Sequence, residues 1–317
     1  MARIAIVQEP AILLDRKATL ERTANCLERA AKGGASLVMF PETYLPGYPD
    51  WIWRMRPLQD HHLSDEIQAR LLDNAVILSR GDLDPICQEA RRLSVTVGIG
   101  VIERDDTYSR GTTYNTFVLI SPKGEILNRH RKLVPTHPER MLWGMGDAVG
   151  LRVVETPAGR LGGLICWENY ILLARHVLYS QGVEIYLAPT WDQGEGWIGS
   201  MQHIAREGRC WVASCAMAIQ ARDVPANFPG RAQVYPNEDE WLNTGDAVLI
   251  DPNGKIVAGP MRREPGILFG DCDPSMAATA RRMLDVAGHY SRPDVFRLIV
   301  QREPPGQFEF ADGEKNK

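Results

Sequence analysis

The chain has 317 residues, of which 44% are hydrophobic and 24% are charged, as in ordinary globular proteins. Its formal net charge of −4 gives no electrostatic indication of a nucleic acid or an anionic membrane as partner. No run of about 18 apolar residues is present, and the strand-like start at residues 1–8 has no signal-peptide architecture, so we expect a cytoplasmic protein.

Short β-type runs alternate with helical patterns along the chain. The predicted strands are residues 3–8, 36–40, 95–101, 114–120, 125–129, 161–165, 184–188, 211–216, 247–250 and 267–271, and the predicted helices are 16–32, 84–93, 170–180 and 201–209. Turn-forming residues at 121–124 and 157–159 predict two hairpins. Strands that alternate with helices over apolar sheets predict an α/β fold with layers in the order α, β, β, α.

The two halves of the sequence resemble each other. Residues 34–41 and 182–189 share a glycine, an apolar run and a proline, and residues 118–126 and 248–256 share a strand–turn–strand pattern with Pro and Gly in the turn. Such turns are common, and one match alone would mean little. Because both pairs occur in the same order, the sequence predicts two mixed sheets related by internal pseudo-symmetry.

The composition changes near residue 303. Residues 1–302 form one predicted domain, because large α/β folds often reach this length around one layered core. Residues 303–317 are polar and rich in turn formers, with Phe308 and Phe310 as the large apolar residues. We expect this tail to be flexible or ordered only by a neighbouring subunit.

A glutamate follows one buried strand directly. Glu42 comes after Phe40-Pro41, so a rigid backbone would hold its carboxylate at a sheet edge. Burial there would raise its pKa toward the range useful for a general base. Taken alone, Glu42 also fits an ordinary loop acid or helix cap.

A lysine ends another strand. Lys132 precedes the apolar pair Leu133-Val134, and strand alternation places it with His130 on the face opposite Arg129 and Arg131. A lysine in such a place can stabilise developing negative charge or lower the pKa of a neighbouring thiol. The alternative, a solvated basic face, fits the two arginines better.

The six cysteines show no metal-ligand spacing, so the sequence predicts no metal site, and each cysteine is by default a buried, reduced side chain. Cys166 differs because an apolar strand, 161–165, runs into it and a helix follows. That strand-to-helix geometry exposes a nucleophile, and backbone N–H groups at the helix start can receive an oxyanion. On this segment alone, a buried structural cysteine remains equally possible.

Together these segments resemble the carbon–nitrogen hydrolase superfamily, whose signature is Glu, Lys and Cys in that chain order. The resemblance covers nearly the whole chain, from residues 4–8 to residues 288–295. Within the superfamily, the chain is similar to the nitrilase branch in particular. The matching motifs are Phe40-Pro41-Glu42 with Pro46-Gly47-Tyr48-Pro49, His130-Arg131-Lys132-Leu133-Val134-Pro135-Thr136, Glu139-Arg140 with Trp143-Gly144, Cys166-Trp167-Glu168-Asn169, and Ala188-Pro189-Thr190. Amidase and carbamoylase branches usually carry another pair after the cysteine, so Trp167-Glu168-Asn169 is the most branch-specific piece.

The resemblance implies a four-layer αββα sandwich, no cofactor, and dimers that often build into larger or spiral assemblies. It implies Glu42 as general base, Lys132 as electrostatic stabiliser and Cys166 as nucleophile. Glu139 matches a second glutamate that many members place beside the lysine, although a helix-start acid explains it equally well. The implied reaction is hydrolysis of a nitrile to a carboxylic acid and ammonia through a covalent Cys166 intermediate.

The substrate pocket is less determined by the sequence. Trp191 follows the strand that is the half-symmetric counterpart of the one before Glu42, so we expect Thr190, Trp191 and Trp167 near the substrate. Tyr48, Trp51 and Trp53 permit an aromatic or arylaliphatic nitrile without demanding one, since such aromatic side chains are often core or interface anchors.

Three other functions remain open at this point. An amidase or a cyanide- or nitrile-hydrating relative would use the same three residues. A non-catalytic assembly protein could keep the fold, although all three positions are filled. A thiol redox enzyme is disfavoured because no resolving cysteine lies near Cys166 in the sequence.

Overall fold

The computed structural model describes residues 1–302; the tail predicted at 303–317 lies outside the described residues. The strands are β1 (Ala2–Val7), β2 (Leu37–Met39), β3 (Thr96–Arg104), β4 (Thr113–Ile120), β5 (Ile126–Arg131), β6 (Val154–Thr156), β7 (Gly159–Gly163), β8 (Ile185–Pro189), β9 (Trp211–Cys215), β10 (Ala218–Gln220), β11 (Trp241–Ile250), β12 (Ile256–Arg262) and β13 (Ile267–Cys272). The α-helices are α1 (Arg16–Lys32), α2 (His61–Asn74), α3 (Asp84–Leu93), α4 (Leu172–Ser180), α5 (Glu195–Gly208), α6 (Arg231–Val234) and α7 (Ser275–Arg281). Short 3₁₀ turns lie at Asp50–Trp53, Leu78–Arg80, His137–Met141, Cys166–Tyr170 and Ala221–Asp223.

Two mixed sheets repeat one pairing pattern. The first sheet has the order β13-β1-β2-β3-β4-β5, and its successive pairings are antiparallel, parallel, parallel, antiparallel and antiparallel. The second runs β6-β7-β8-β9-β11, with β10 and β12 both paired to β11, and from β6 to β12 the pairings follow the same sequence. The two sheets are therefore built on one plan.

The repeated segments of the sequence occupy equivalent places in this plan. Residues 34–41 contain β2 and residues 182–189 contain β8, the third strand of each pattern. Residues 118–126 and 248–256 form the turns of the hairpins β4–β5 and β11–β12. The predicted pseudo-symmetry is confirmed, and Glu42 and Thr190 stand at equivalent positions after β2 and β8.

Three apolar cores separate four layers, as the sequence predicted. Residues such as Ile6, Leu119 and Leu187 fill the core between the two sheets. Helices α1, α2 and α3 cover the outer face of the first sheet, and α4 and α5 cover the outer face of the second. Apolar side chains on both faces explain why the central strands read as continuous apolar runs.

Helix α1 illustrates how the sequence sets a layer. Its N-cap residue Asp15 accepts a hydrogen bond from the backbone N–H of Ala18 at 2.9 Å, and the helix ends at Gly33. Its buried residues recur at helical spacing and pack on the first sheet. They are Thr19, Thr23, Cys26, Leu27 and Ala30.

Four helices depart from the prediction, and among them the short α6 and α7 were not predicted at all. Helix α5 begins at Glu195 rather than at 201, because Gly196 and Gly199 weaken the local helix signal while buried Trp197 anchors the first turns to the core. Helix α2 was not predicted, and Ile67 and Leu71 are its buried residues. Among residues 1–302, no helix is both long and apolar enough to cross a membrane.

Candidate active site

Three of the residues predicted for catalysis, and Thr190, which was predicted to lie near the substrate, follow the carboxyl ends of strands. Glu42 lies shortly after β2 and Lys132 directly after β5, both in the first sheet. Cys166 follows β7 and Thr190 directly follows β8, both in the second sheet. Packing the sheets face to face brings the two pairs together at one end of the sandwich.

Alternation along β5 separates two pairs of basic side chains. Arg129 and Arg131 both donate to Glu103 Oε1, at 3.2 and 2.6 Å, on one face. His130 and Lys132 point the other way and are each only 1% exposed. The predicted division of these four residues is confirmed, and Lys132 is the one that reaches the site.

Lys132 is held between two carboxylates. Its Nζ donates to Glu42 Oε1 at 2.9 Å and to Glu139 Oε2 at 2.8 Å. Burial alone would lower its pKa, but the Glu42 and Glu139 carboxylates more than offset this and raise the pKa of Lys132 above its usual value. Lys132 therefore remains an ammonium ion and serves as a fixed positive charge, not as a base.

One carboxylate oxygen of Glu42 accepts hydrogen bonds, and the other has none within residues 1–302. Oε1 accepts hydrogen bonds from Lys132 and from Asn115 Nδ2, the latter at 2.7 Å. Oε2 is buried and has no hydrogen-bond partner among the described residues. Burial raises the pKa of Glu42 to about 7, with Lys132 opposing and Glu139 adding to the rise. A fixed carboxylate with a free oxygen and this pKa is suited to accept a proton near neutral pH.

Glu139 is bonded on both oxygens, in contrast to Glu42. Oε2 accepts from Lys132 and from the backbone N–H of Thr136 at 2.7 Å, and Oε1 accepts from the Tyr48 hydroxyl at 2.8 Å. These bonds leave Glu139 poorly placed to take a further proton. Its geometry fits the role of a second carboxylate that orients Lys132.

Cys166 occupies a strained turn between β7 and the 3₁₀ segment that follows. Its φ of 53° lies in the left-handed region, which a residue with a side chain rarely adopts. Asn169 Nδ2 ties the turn by donating to the carbonyls of Leu164 at 3.0 Å and Cys166 at 2.8 Å. The Tyr186 hydroxyl in turn donates to Asn169 Oδ1 at 2.7 Å. The surrounding bonds hold the cysteine in its unusual conformation.

The Cys166 thiol is a weak acid in this setting. It is 5% exposed, and burial together with the Glu42 carboxylate raises the pKa of the Cys166 thiol to about 12, although Lys132 opposes the rise. The Thr190 side chain also opposes the rise. The resting thiol is therefore protonated at neutral pH and needs a base before it can attack.

Glu168 connects the segments that carry Lys132 and Cys166. Its Oε1 accepts from the backbone N–H of Leu133 at 2.7 Å, and its Oε2 accepts from the N–H of Ile165 at 2.9 Å and bonds with His130 Nε2 at 2.9 Å. Burial would raise the pKa of Glu168, but His130 and the two N–H groups more than offset it and lower that pKa. The carboxylate thus sets the spacing between the lysine and the cysteine.

Glu168→Gln is expected to lower kcat by roughly 10- to 100-fold, because a 1 Å displacement of reacting groups costs about that much. A glutamine must turn its amide NH₂ toward one of the two backbone N–H donors, which breaks that bond. Steady-state kinetics measure the loss, and unchanged KM locates it in the chemical step. Glu66→Gln, on the exposed side of α2, is the matched control. A Glu168→Gln enzyme with normal kcat would contradict the positioning role.

A small pocket of about 150 Å³ opens above the cysteine. It is lined by Tyr48, Trp53, Thr136, Glu139, Cys166, Trp167, Trp191 and Asp192. Trp191 stacks on Tyr48 with ring centroids 4.3 Å apart and planes 6° apart, and Trp167 is 51% exposed at the rim. Trp51, in contrast, is buried against Phe228 and does not line this pocket.

Several supporting residues were not predicted from the sequence. Asn115 lies in the apolar strand β4, and a buried amide in such a strand could have been recognised as a candidate site residue. Glu168 and Asn169 were noted only as markers of a protein branch, not for the bonds that they make. The Tyr48 to Glu139 bond joins residues 91 positions apart and had no local signal.

Comparisons with known proteins agree with this geometry. The carbon–nitrogen hydrolase family model matches residues 3–282. The chain is 38% identical to an aliphatic nitrilase of Sinorhizobium fredii (strain HH103), over 95% of this chain and 96% of that protein. It is 36% identical to nitrilase 3 of Arabidopsis thaliana, over 99% of this chain and 93% of that protein.

Among solved structures, the C. elegans NitFhit protein has the same fold, with a TM-score of 0.72 at 19% identity over 96% of this chain and 68% of that chain. The match to the family model, the full-length relatives and the shared fold lead to one conclusion. The chain belongs to the carbon–nitrogen hydrolase family.

Proposed function

We propose that this protein is a nitrilase that hydrolyses an organic nitrile to the carboxylic acid and ammonia. The observation that carries the proposal is the free Oε2 of Glu42, held by Lys132 in the same site as the protonated Cys166 thiol. Nitrilases that are 36% and 38% identical over nearly the whole chain support it.

The first half of the reaction forms a covalent adduct. Glu42 takes the Cys166 thiol proton as the sulfur bonds to the nitrile carbon, and one π bond of the nitrile becomes a nitrogen lone pair. Lys132 and the backbone N–H near Trp167 stabilise the charge that develops on this nitrogen. The proton then passes to the nitrogen, which gives a neutral thioimidate.

The second half consumes two molecules of water. Glu42 activates the first water, which adds to the thioimidate carbon, and ammonia leaves to give a thioester. A second water, activated in the same way, releases the carboxylic acid and restores the thiol. The covalent route divides one difficult hydrolysis into steps with lower barriers.

A panel of substrates tests the proposal. We expect purified protein to release ammonia from at least one of an aliphatic, an aromatic and an arylacetic nitrile, with the acid as the main organic product. Ammonia is measured by a coupled assay, and acid and amide are separated by chromatography. Hydrolysis of the matching amides with no turnover of any nitrile, or hydration of cyanide alone, would instead indicate the amidase or hydratase relative.

We also propose a cytoplasmic homodimer that builds into a larger assembly. Four apolar side chains in the first turn of α4 and in the segment just before it are each more than half exposed, which favours a contact with a second copy. They are Trp167, Tyr170, Leu172 and Leu173. Sedimentation of the purified protein as a monomer would contradict this part of the proposal.

A further inference from the structure

The mouth of the pocket carries a carboxylate that the proposed mechanism does not use. Asp192 Oδ2 accepts a hydrogen bond from Trp167 Nε1 at 2.7 Å, and Oδ1 accepts from the backbone N–H of Gln193 at 2.7 Å. The N–H of Asp192 donates to Thr190 Oγ1 at 2.8 Å, which ties this residue to the floor beside Cys166. Asp192 is therefore fixed in place by neutral groups, and among residues 1–302 no arginine, lysine or histidine forms an ion pair with it.

The pocket as a whole is negative and aromatic. Among the described residues that line it, two are carboxylates, Glu139 and Asp192, and none is a lysine, arginine or histidine. Lys132, beneath the pocket, is already shared between Glu42 and Glu139. An additional anion in the pocket would meet unbalanced negative charge.

The size of the pocket limits the size of the group that is attached to the nitrile. A cavity of about 150 Å³ is known to hold a benzene-sized molecule, and this pocket has about that volume. The stacked rings of Tyr48 and Trp191 form one wall, so a flat ring fits the space. Substituents on that ring would point past Asp192 and Trp167 toward solvent.

We infer that Asp192 selects substrates by charge, so that compact neutral or cationic aromatic nitriles are accepted and nitriles bearing a carboxylate are disfavoured. This inference rests on the proposed nitrilase function. The same charge acts on the product, because the acid released from a neutral nitrile is an anion and is repelled from the site where it forms. Selection against anionic substrates and rapid release of the anionic product then have one physical cause.

Asp192→Asn is the discriminating variant. Asparagine has nearly the same shape and keeps an oxygen that can accept from Trp167 Nε1. Its amide NH₂ then faces the backbone N–H of Gln193, so the change removes the charge and this one backbone hydrogen bond. The substrates are 4-nitrobenzonitrile and 4-cyanobenzoate, whose nitro and carboxylate groups match in shape and differ in charge. We expect the wild-type kcat/KM to favour the nitro compound, and Asp192→Asn to reduce that preference about tenfold.

Three controls distinguish an effect of the Asp192 charge from an effect on the structure. Asp192→Glu keeps the charge and should keep the preference, and 4-(aminomethyl)benzonitrile, which is cationic, should lose kcat/KM in Asp192→Asn. Raising the ionic strength should reduce the wild-type preference and leave that of Asp192→Asn unchanged. An equal loss of kcat/KM for 4-nitrobenzonitrile and 4-cyanobenzoate in Asp192→Asn would show a structural role and would overturn the inference.

Binding gives a readout that does not need turnover. In a Cys166→Ala background, calorimetry with benzoate and with neutral nitrobenzene measures the same charge preference. Adding Asp192→Asn should lower the Kd of benzoate about tenfold and leave the Kd of nitrobenzene unchanged. If the wild-type protein hydrolyses no nitrile but Asp192→Asn strengthens the binding of benzoate, the proposed nitrilase function fails and the charge selection stands. If nitriles are hydrolysed and neither preference moves, the charge selection fails alone.

Discussion

Cys166→Ala is expected to abolish the release of acid and ammonia from nitriles while leaving the protein folded. Loss of the nucleophile removes the covalent route altogether, and comparable nucleophile deletions cost roughly 10⁶-fold in kcat. The fold should tolerate the change, because it deletes one sulfur atom and leaves a small cavity that costs about 1 kcal/mol. Initial rates of ammonia release and a thermal melt measure the two quantities.

The matched control is Cys210→Ala. Cys210 is also buried and free, with 0% exposure, but it lies in the outer core of the second sheet rather than at the pocket. This variant should keep its activity, which excludes a general effect of losing a buried thiol. Substantial turnover by a folded Cys166→Ala protein would refute the mechanism.

Glu42→Gln is expected to lower kcat/KM by about 10³-fold or more, since general base catalysis typically contributes 10²- to 10⁴-fold. Glutamine keeps the shape and one oxygen but cannot accept the thiol proton. In the wild type, the base works only when ionised, and burial raises the pKa of Glu42 to about 7. Activity should therefore rise as the pH increases through about 7 and level off above it.

Alkylation of Cys166 by iodoacetamide reports the same proton transfer without a substrate. In the wild type the rate should rise across the same range near pH 7. In Glu42→Gln the thiol must ionise by itself. Removal of the Glu42 charge lowers the pKa of Cys166, but burial still raises it, so alkylation should stay slow near neutral pH and rise only at alkaline pH. An unchanged alkylation profile in Glu42→Gln would show that another group is the base.

Glu139→Gln provides the contrast. The base remains, so the acid limb of the pH profile should persist. Because the charge of Glu139 contributes to the raised pKa of Glu42, its removal should move that limb to lower pH. Loss of the acid limb in Glu139→Gln would instead assign the proton transfer to Glu139.

Much of the fold was predictable because its determinants are local. Apolar runs of strand length and a proline after β2 and β8 marked the buried centre of each sheet and the places where polar side chains emerge. The repeated segments then related the two sheets before any pairing was known. The start of α5 was not predictable, because two glycines hide a helix that only the packing of Trp197 secures.

The site was predictable in its principal residues but not in its supports. Glu42, Lys132 and Cys166 were noted individually at strand ends, and their order along the chain resembled a known family. Glu168 accepts from a backbone N–H that lies 35 residues away, and Asn115 reaches Glu42 across 73 residues. Bonds of that span follow from sheet packing and leave no spacing pattern in a sequence.

The pairing of β13 with β1 has a consequence for synthesis of the protein. Ala2 lies opposite Cys272, and Arg3 binds Asp271, a partner 268 residues away. Strand β1 thus lacks its partner on one side until β13 has been made, and exposed strand edges invite pairing with other chains. The nascent chain is open to such pairing between the synthesis of β1 and that of β13, and the pairing of these two strands ends that vulnerability.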